Sequence, residues 1–137
     1  MANGEGGCLC GAVRYRYDVA AAHSMICHCR TCRRQSGAPV VAWVTFPAGR
    51  LRFVRGEPAC FASSEPVLRT FCGACGTPLT YQHRDEPQWI DVTTCTLDEP
   101  DAFPPTHRSW VSHDLEWMKS AAALPRFPGS RYEQGSG

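Results

Sequence analysis

Residues 13–18 alternate in character, with Val13, Tyr15 and Tyr17 on one side of the chain and Arg14, Arg16 and Asp18 on the other. A two-residue period belongs to a strand with one face buried and the other in water. The same reading predicts strands at Val40–Phe46, Leu51–Arg55, Ala59–Ser63, Leu68–Phe71, Thr77–His83 and Trp89–Leu97. Between them stand Pro47-Ala48-Gly49, Gly56-Glu57-Pro58, Glu65-Pro66, Asp85-Glu86-Pro87 and Glu99-Pro100-Asp101. There proline's fixed φ and glycine's freedom favour chain reversal. Many short strands at near-regular spacing predict an all-β fold of antiparallel sheets with little helix. Thr31–Ser36 is long enough for one or two helical turns, and Ser112–Ala123 has helical propensity without an apolar stripe.

Composition narrows this picture. A chain of 137 residues, 43% hydrophobic and 20% charged, makes one ordinary globular domain. Its expected limits are residues 5–127, with 128–137 as a flexible tail. A formal charge of +1 gives no bulk argument for nucleic acid, although the basic residues are thirteen arginines and the single Lys119. No apolar run approaches the roughly 18 residues of a membrane span, and Met1–Gly7 lacks the basic and apolar segments of an export signal, so a cytoplasmic protein is expected. In a reducing compartment the nine cysteines read as metal ligands or reactive thiols rather than as disulfides.

Seven of these cysteines fall in three tight groups: Cys8-Leu9-Cys10-Gly11, Cys27-His28-Cys29-Arg30-Thr31-Cys32 and Cys72-Gly73-Ala74-Cys75-Gly76. Core packing gives no reason for such clustering, whereas thiolates about 2.3 Å from one zinc ion must be brought together. The two-residue gap of Cys72 and Cys75, followed by a glycine free to turn left-handed, is a zinc knuckle. Cys8 and Cys10 form a half-site of the same kind, so the four together predict a closed, structural zinc site. Cys27, Cys29 and Cys32 supply only three ligands, and a tetrahedral ion so held can take a substrate atom in its fourth position. A thiolate-rich ion suits a substrate thiol, whose ionisation it favours, better than it suits water activation. Two zinc ions per chain are therefore expected, one structural and one catalytic.

Arg30, Arg33 and Arg34 crowd the second group, either to hold carboxylates of an anionic substrate or to offset thiolate charge. His28 is expected to point away from the ion beside it. His107, His113 and Asp114 are candidates for a fourth ligand, Cys60 and Cys95 are read as core fillers, and the four tryptophans, Trp43, Trp89, Trp110 and Trp117, as core or pocket wall.

The three motifs in this order resemble the glutathione-dependent formaldehyde-activating enzyme (Gfa) family, which includes centromere protein V. The resemblance runs from about residue 5 to residue 127 and takes in Trp117 and Leu124-Pro125-Arg126-Phe127, although His113-Asp114 stands where the family often has a basic residue. It implies a tent-like fold of packed antiparallel sheets stapled by zinc. It also implies structural ligands at Cys8, Cys10, Cys72 and Cys75 and catalytic ligands at Cys27, Cys29 and Cys32. The activity implied is that of a carbon-sulfur lyase, adding a small thiol such as glutathione reversibly to formaldehyde or another small aldehyde. Two rival readings stand beside it: a non-enzymatic zinc module for protein or nucleic acid, and a zinc switch released by oxidation. Scattered arginines make the nucleic-acid version the less expected one, and the sequence leaves oligomeric state open.

Overall fold

The computed structural model describes residues 3–132, and the last residues of the expected tail, 133–137, lie outside them. Ten strands form two sheets. The smaller contains β1 (Gly4–Gly7), β2 (Arg14–Tyr17) and β5 (Leu51–Arg55), in the order β1-β2-β5. The larger adds β3 (His23–Cys27), β4 (Val41–Pro47), β6 (Ala59–Ser64), β7 (Val67–Phe71), β8 (Pro78–His83), β9 (Trp89–Thr93) and β10 (His107–Ser109). Its strand order is β10-β3-β4-β9-β8-β7-β6. The pairs are antiparallel except β10 with β3, which run parallel. Among the described residues a single short α-helix, α1 (Arg30–Ser36), follows β3.

The expectation of an all-β fold is met, with differences at particular elements. The segment expected as one strand to Leu97 stops at Thr93, where a 3₁₀ turn at Thr94–Thr96 redirects the chain. Ser112–Ala123 forms 3₁₀ turns at Val111–His113 and Glu116–Ala123, as fits a segment with no apolar stripe to bury. Cys60 and Cys95 are exposed rather than core-filling. Trp117 is 58% exposed and joins neither buried cluster nor the lining of the clefts beside α1.

Strand alternation assigns the two faces of the larger sheet to different tasks. Val44, Phe46 and Val92 point to the smaller sheet and join Tyr15, Tyr17 and Leu51 in the main core. Tyr17 stacks on Phe46 with ring centroids 4.5 Å apart. On the opposite face, register lines up Arg69 with Tyr81 and Tyr81 with Asp91, while Trp43 pairs with Met25. Those residues are backed by Cys27, Cys32 and Val41 in a second, smaller cluster. One face is thus core, and the other is the floor of a site.

Candidate metal centres and active site

β3 ends on Cys27, Cys29 caps the helix that follows, and Cys32 lies in its first turn. The helix start itself folds the sulfurs together, because Cys29 Sγ accepts the Cys32 amide at 3.3 Å, where an ordinary cap would offer an oxygen. All three sulfurs lie within 4.8 Å of one another. A residue outside the motif completes the arrangement. Arg69 of β7, only 3% exposed, donates Nη1 and Nη2 to Cys32 Sγ at 3.6 and 3.5 Å and Nε to Ser63 Oγ at 2.8 Å. Its guanidinium lies 5.1 Å from the centre of the Tyr81 ring and 5.9 Å from that of Trp43. The hydrogen bond from Cys27, with Arg69 beside it, lowers the Cys32 thiol to about 5 against the opposing effect of burial. Cys27 moves the other way, raised by its contact with Cys32 and by burial.

These sulfurs open onto a cavity of about 670 Å³, lined on the sheet side by Met25, Trp43, Arg69 and Tyr81. Arg30 and His113 stand at its wall, and among the described residues neither aspartate nor glutamate lines it. The His113 ring stacks on Trp110 at 5.0 Å, with its Nδ1 buried and unpartnered. Trp110 is the one non-glycine residue with positive φ, at 61°, among the described residues.

The four-sulfur group lies where the sheets meet. Cys8 follows β1, and Cys72 and Cys75 form the turn between β7 and β8. Cys8, Cys10, Cys72 and Cys75 bring their sulfurs within 4.8 Å of one another. Amides point at the sulfurs, from Val13 to Cys8 at 3.3 Å and from Cys75 to Cys72 at 3.4 Å. The Thr77 hydroxyl lies 3.2 Å from Cys75 Sγ. Gly76 adopts the left-handed φ of 83° that the knuckle requires, and its amide closes the turn onto the Cys72 carbonyl at 2.8 Å. Thr77, through hydroxyl and amide, lowers the Cys75 thiol to about 5. Cys10 is raised to about 11: the Ala12 amide pulls its thiol down, and the thiols of Cys8 and Cys75 outweigh that pull.

Zinc fits both groups by their donor chemistry. A tetrahedron of sulfurs with bonds of about 2.3 Å has edges of roughly 3.8 Å. Cys8 and Cys10 lie 3.7 Å apart, Cys10 and Cys72 3.8 Å, far outside disulfide length. Sulfurs so close cannot all ionise without a cation between them. A family model described as "Glutathione-dependent formaldehyde-activating enzyme" matches residues 3–113. The chain belongs to that family. It is 28% identical over 131 residues to an uncharacterised lyase of Schizosaccharomyces pombe, a match spanning 85% of this chain and 95% of the relative. A crystal structure of a Rhodobacter sphaeroides protein superposes with a TM-score of 0.63 at 25% identity, covering 77% of this chain and 99% of that one.

In this Gfa-family chain the other sequence candidates separate cleanly. Arg30 and Arg34 line clefts beside α1, whereas Arg33 donates Nη1 to the His113 carbonyl at 3.0 Å and lines neither. His28 and Asp114 engage each other, Nδ1 to Oδ1 at 2.9 Å, and this bond holds the Asp114 carboxyl below its ordinary value. His107 is exposed beside the Thr106 hydroxyl. Trp43 and Trp110 line the cavity, and Trp89 is half-buried near His23. Arg69 went unnoticed in the sequence because Leu68-Arg69-Thr70 reads as an ordinary half-polar strand. Only the pairing of β7 with β6 and β8 brings it over Cys32.

Proposed function

We propose that the chain is a zinc-dependent carbon-sulfur lyase that joins a small thiol to a small aldehyde reversibly at Cys27, Cys29 and Cys32. One observation carries the reading: three converging sulfurs open onto a cavity, with no fourth His, Cys, Asp or Glu in their group among the described residues. Cys8, Cys10, Cys72 and Cys75 form a full set of four away from that cavity, and their role is structural. Zinc, when bound, favours ionisation of a thiol placed beside it.

The remaining work falls to the chain's own groups. Cys27, Cys29 and Cys32 hold the ion, and Arg69 fixes Cys32 and offsets one of three negative charges. Trp43 and Tyr81 cover the floor and exclude water from it. Arg30 and Arg34 stand where a carboxylate of the thiol would be held. In the reaction the thiol sulfur bonds to the carbonyl carbon, the C=O π pair moves to oxygen, and the thiol proton ends on that oxygen. The product is an S-hydroxyalkyl adduct, and no oxidant or reductant is consumed. Proximity supplies much of the acceleration, since thiols and aldehydes also combine unaided.

Glutathione and formaldehyde are the substrates to try first, with a panel of other small thiols beside them. The expected result is thiol-dependent aldehyde consumption above the uncatalysed rate, lost in Cys29→Ala while the fold persists. Equal rates with and without protein across the panel would contradict the proposal.

A further inference from the structure

The cavity beside the three sulfurs has a neighbour along α1. A second cleft, of about 760 Å³, runs along the helix and shares Arg30, Thr31 and Ser63 with the first. Its floor holds Phe61 of β6 and Phe71 of β7, edge to face with centroids 5.9 Å apart and planes at 65°. Phe61 is 39% exposed, a large apolar ring turned toward solvent. Across from it, Arg30 and Arg34 stand one turn apart on the same side of α1. Both are exposed, and neither has a carboxylate partner among the described residues. Arg14, Arg50 and Arg84 by contrast each meet an acid, at 2.6, 2.7 and 2.6 Å. Among the described residues no acidic side chain lines either cleft.

Two separate demands therefore converge on one space: an apolar surface to cover, and two guanidinium groups without counter-charge. We infer that this cleft binds the non-reacting half of the substrate, an aromatic or bulky apolar group that carries a carboxylate. The carboxylate meets Arg30 and Arg34, and the apolar group covers Phe61 and Phe71. This rests on the proposed function, because the cleft's use as a substrate compartment follows from the wall of Arg30, Thr31 and Ser63 that it shares with the three-sulfur cavity. It goes beyond that reading by making the substrate larger and more apolar at one end than the shortest thiols.

N-Acetyl-L-phenylalanine carries both features and neither thiol nor aldehyde, so its binding is read without turnover. It is titrated by calorimetry and by NMR into the zinc-loaded full chain, into Phe61→Ala and into Arg34→Gln, both changes at exposed positions. Saturable binding is expected, weakened about tenfold by each substitution, as is usual for losing one aromatic contact or one charged hydrogen bond. N-Acetyl-L-alanine, which lacks the ring, is expected to bind wild type about tenfold more weakly than the phenylalanine probe. Absence of saturable binding overturns the inference, and so does binding that either substitution leaves unchanged or that the alanine probe matches. Probe binding without thiol-dependent turnover would instead overturn the proposed reaction and leave the cleft standing.

Discussion

Arg69 shows how a single side chain reaches from the core into the chemistry. Its charge is buried between Trp43 and Tyr81 and held by Ser63 and Cys32, so Arg69→Met preserves most of the volume and removes the counter-charge of one thiolate. Zinc affinity of the three-sulfur group should then fall about 10–100-fold, the usual penalty for losing a partner that orients a ligand. Chelator competition measures it, and the four-sulfur group should be unaffected. At the knuckle, Gly76→Ala should lower stability by about 1–2 kcal/mol, because an added Cβ has open space but the backbone is left-handed. Gly73→Ala, where a Cβ meets only Ala59 at an ordinary 3.7 Å, is the comparison that should unfold at nearly the wild-type denaturant concentration. Asp91 supplies a pH test. Burial raises its carboxyl, against the hydrogen bond it accepts from Thr45 at 2.5 Å. A raised folded value means that its contribution is fully present below the ordinary carboxylate pKa and is lost as pH rises through the raised one. Asp91→Asn should therefore be more stable than wild type at pH 8, with the gap closing toward pH 4 in denaturant titrations. The ligand motifs were legible in the sequence because their spacing is local, whereas Arg69 stands 37 residues from Cys32 and reaches it only through the folding of the sheet.

At the scale of elements, legibility followed apolar periodicity. β2 was readable from its alternation, while β1, Gly4-Glu5-Gly6-Gly7, has none to read. Its glycines exist for close approach: a Cβ on Gly6 would collide with the Tyr15 ring and the Thr96 carbonyl. β10 was hidden too, since three polar residues acquire strand form only by pairing parallel to β3. That pairing matters to the site because it carries the chain on to Trp110 and His113 over the sulfur cavity. Three contacts tie this segment down: the His28 amide to the Ser109 carbonyl at 2.9 Å, Arg33 to the His113 carbonyl, and the His28–Asp114 bond. Asp114→Ala leaves a His28 ring that is 1% exposed without its partner. Limited proteolysis should then cut the chain beyond Ser109 faster, with a melting point lower by about 5 °C. Cutting at the wild-type rate would show that the strand pairing alone holds the segment.

The whole molecule joins two sheets by one cysteine group and places the other on the far face of the larger sheet. Cys8 and Cys10 come from the smaller sheet's edge and Cys72 and Cys75 from a turn of the larger, so an ion among them would staple the two layers whose shared core holds Tyr15, Phe46 and Val92. A domain of this size has a limited core, and metal bound at such a junction contributes folding free energy directly. Cys27, Cys29 and Cys32 all come from one β3–α1 corner and tie together nothing distant in sequence, which is why losing that ion should leave the architecture standing. The most direct test is the zinc-to-protein ratio of purified, folded Cys29→Ala beside wild type. Two ions in the wild type and one in the variant is the result this account predicts. Two ions retained in the variant, or both lost together, would contradict it.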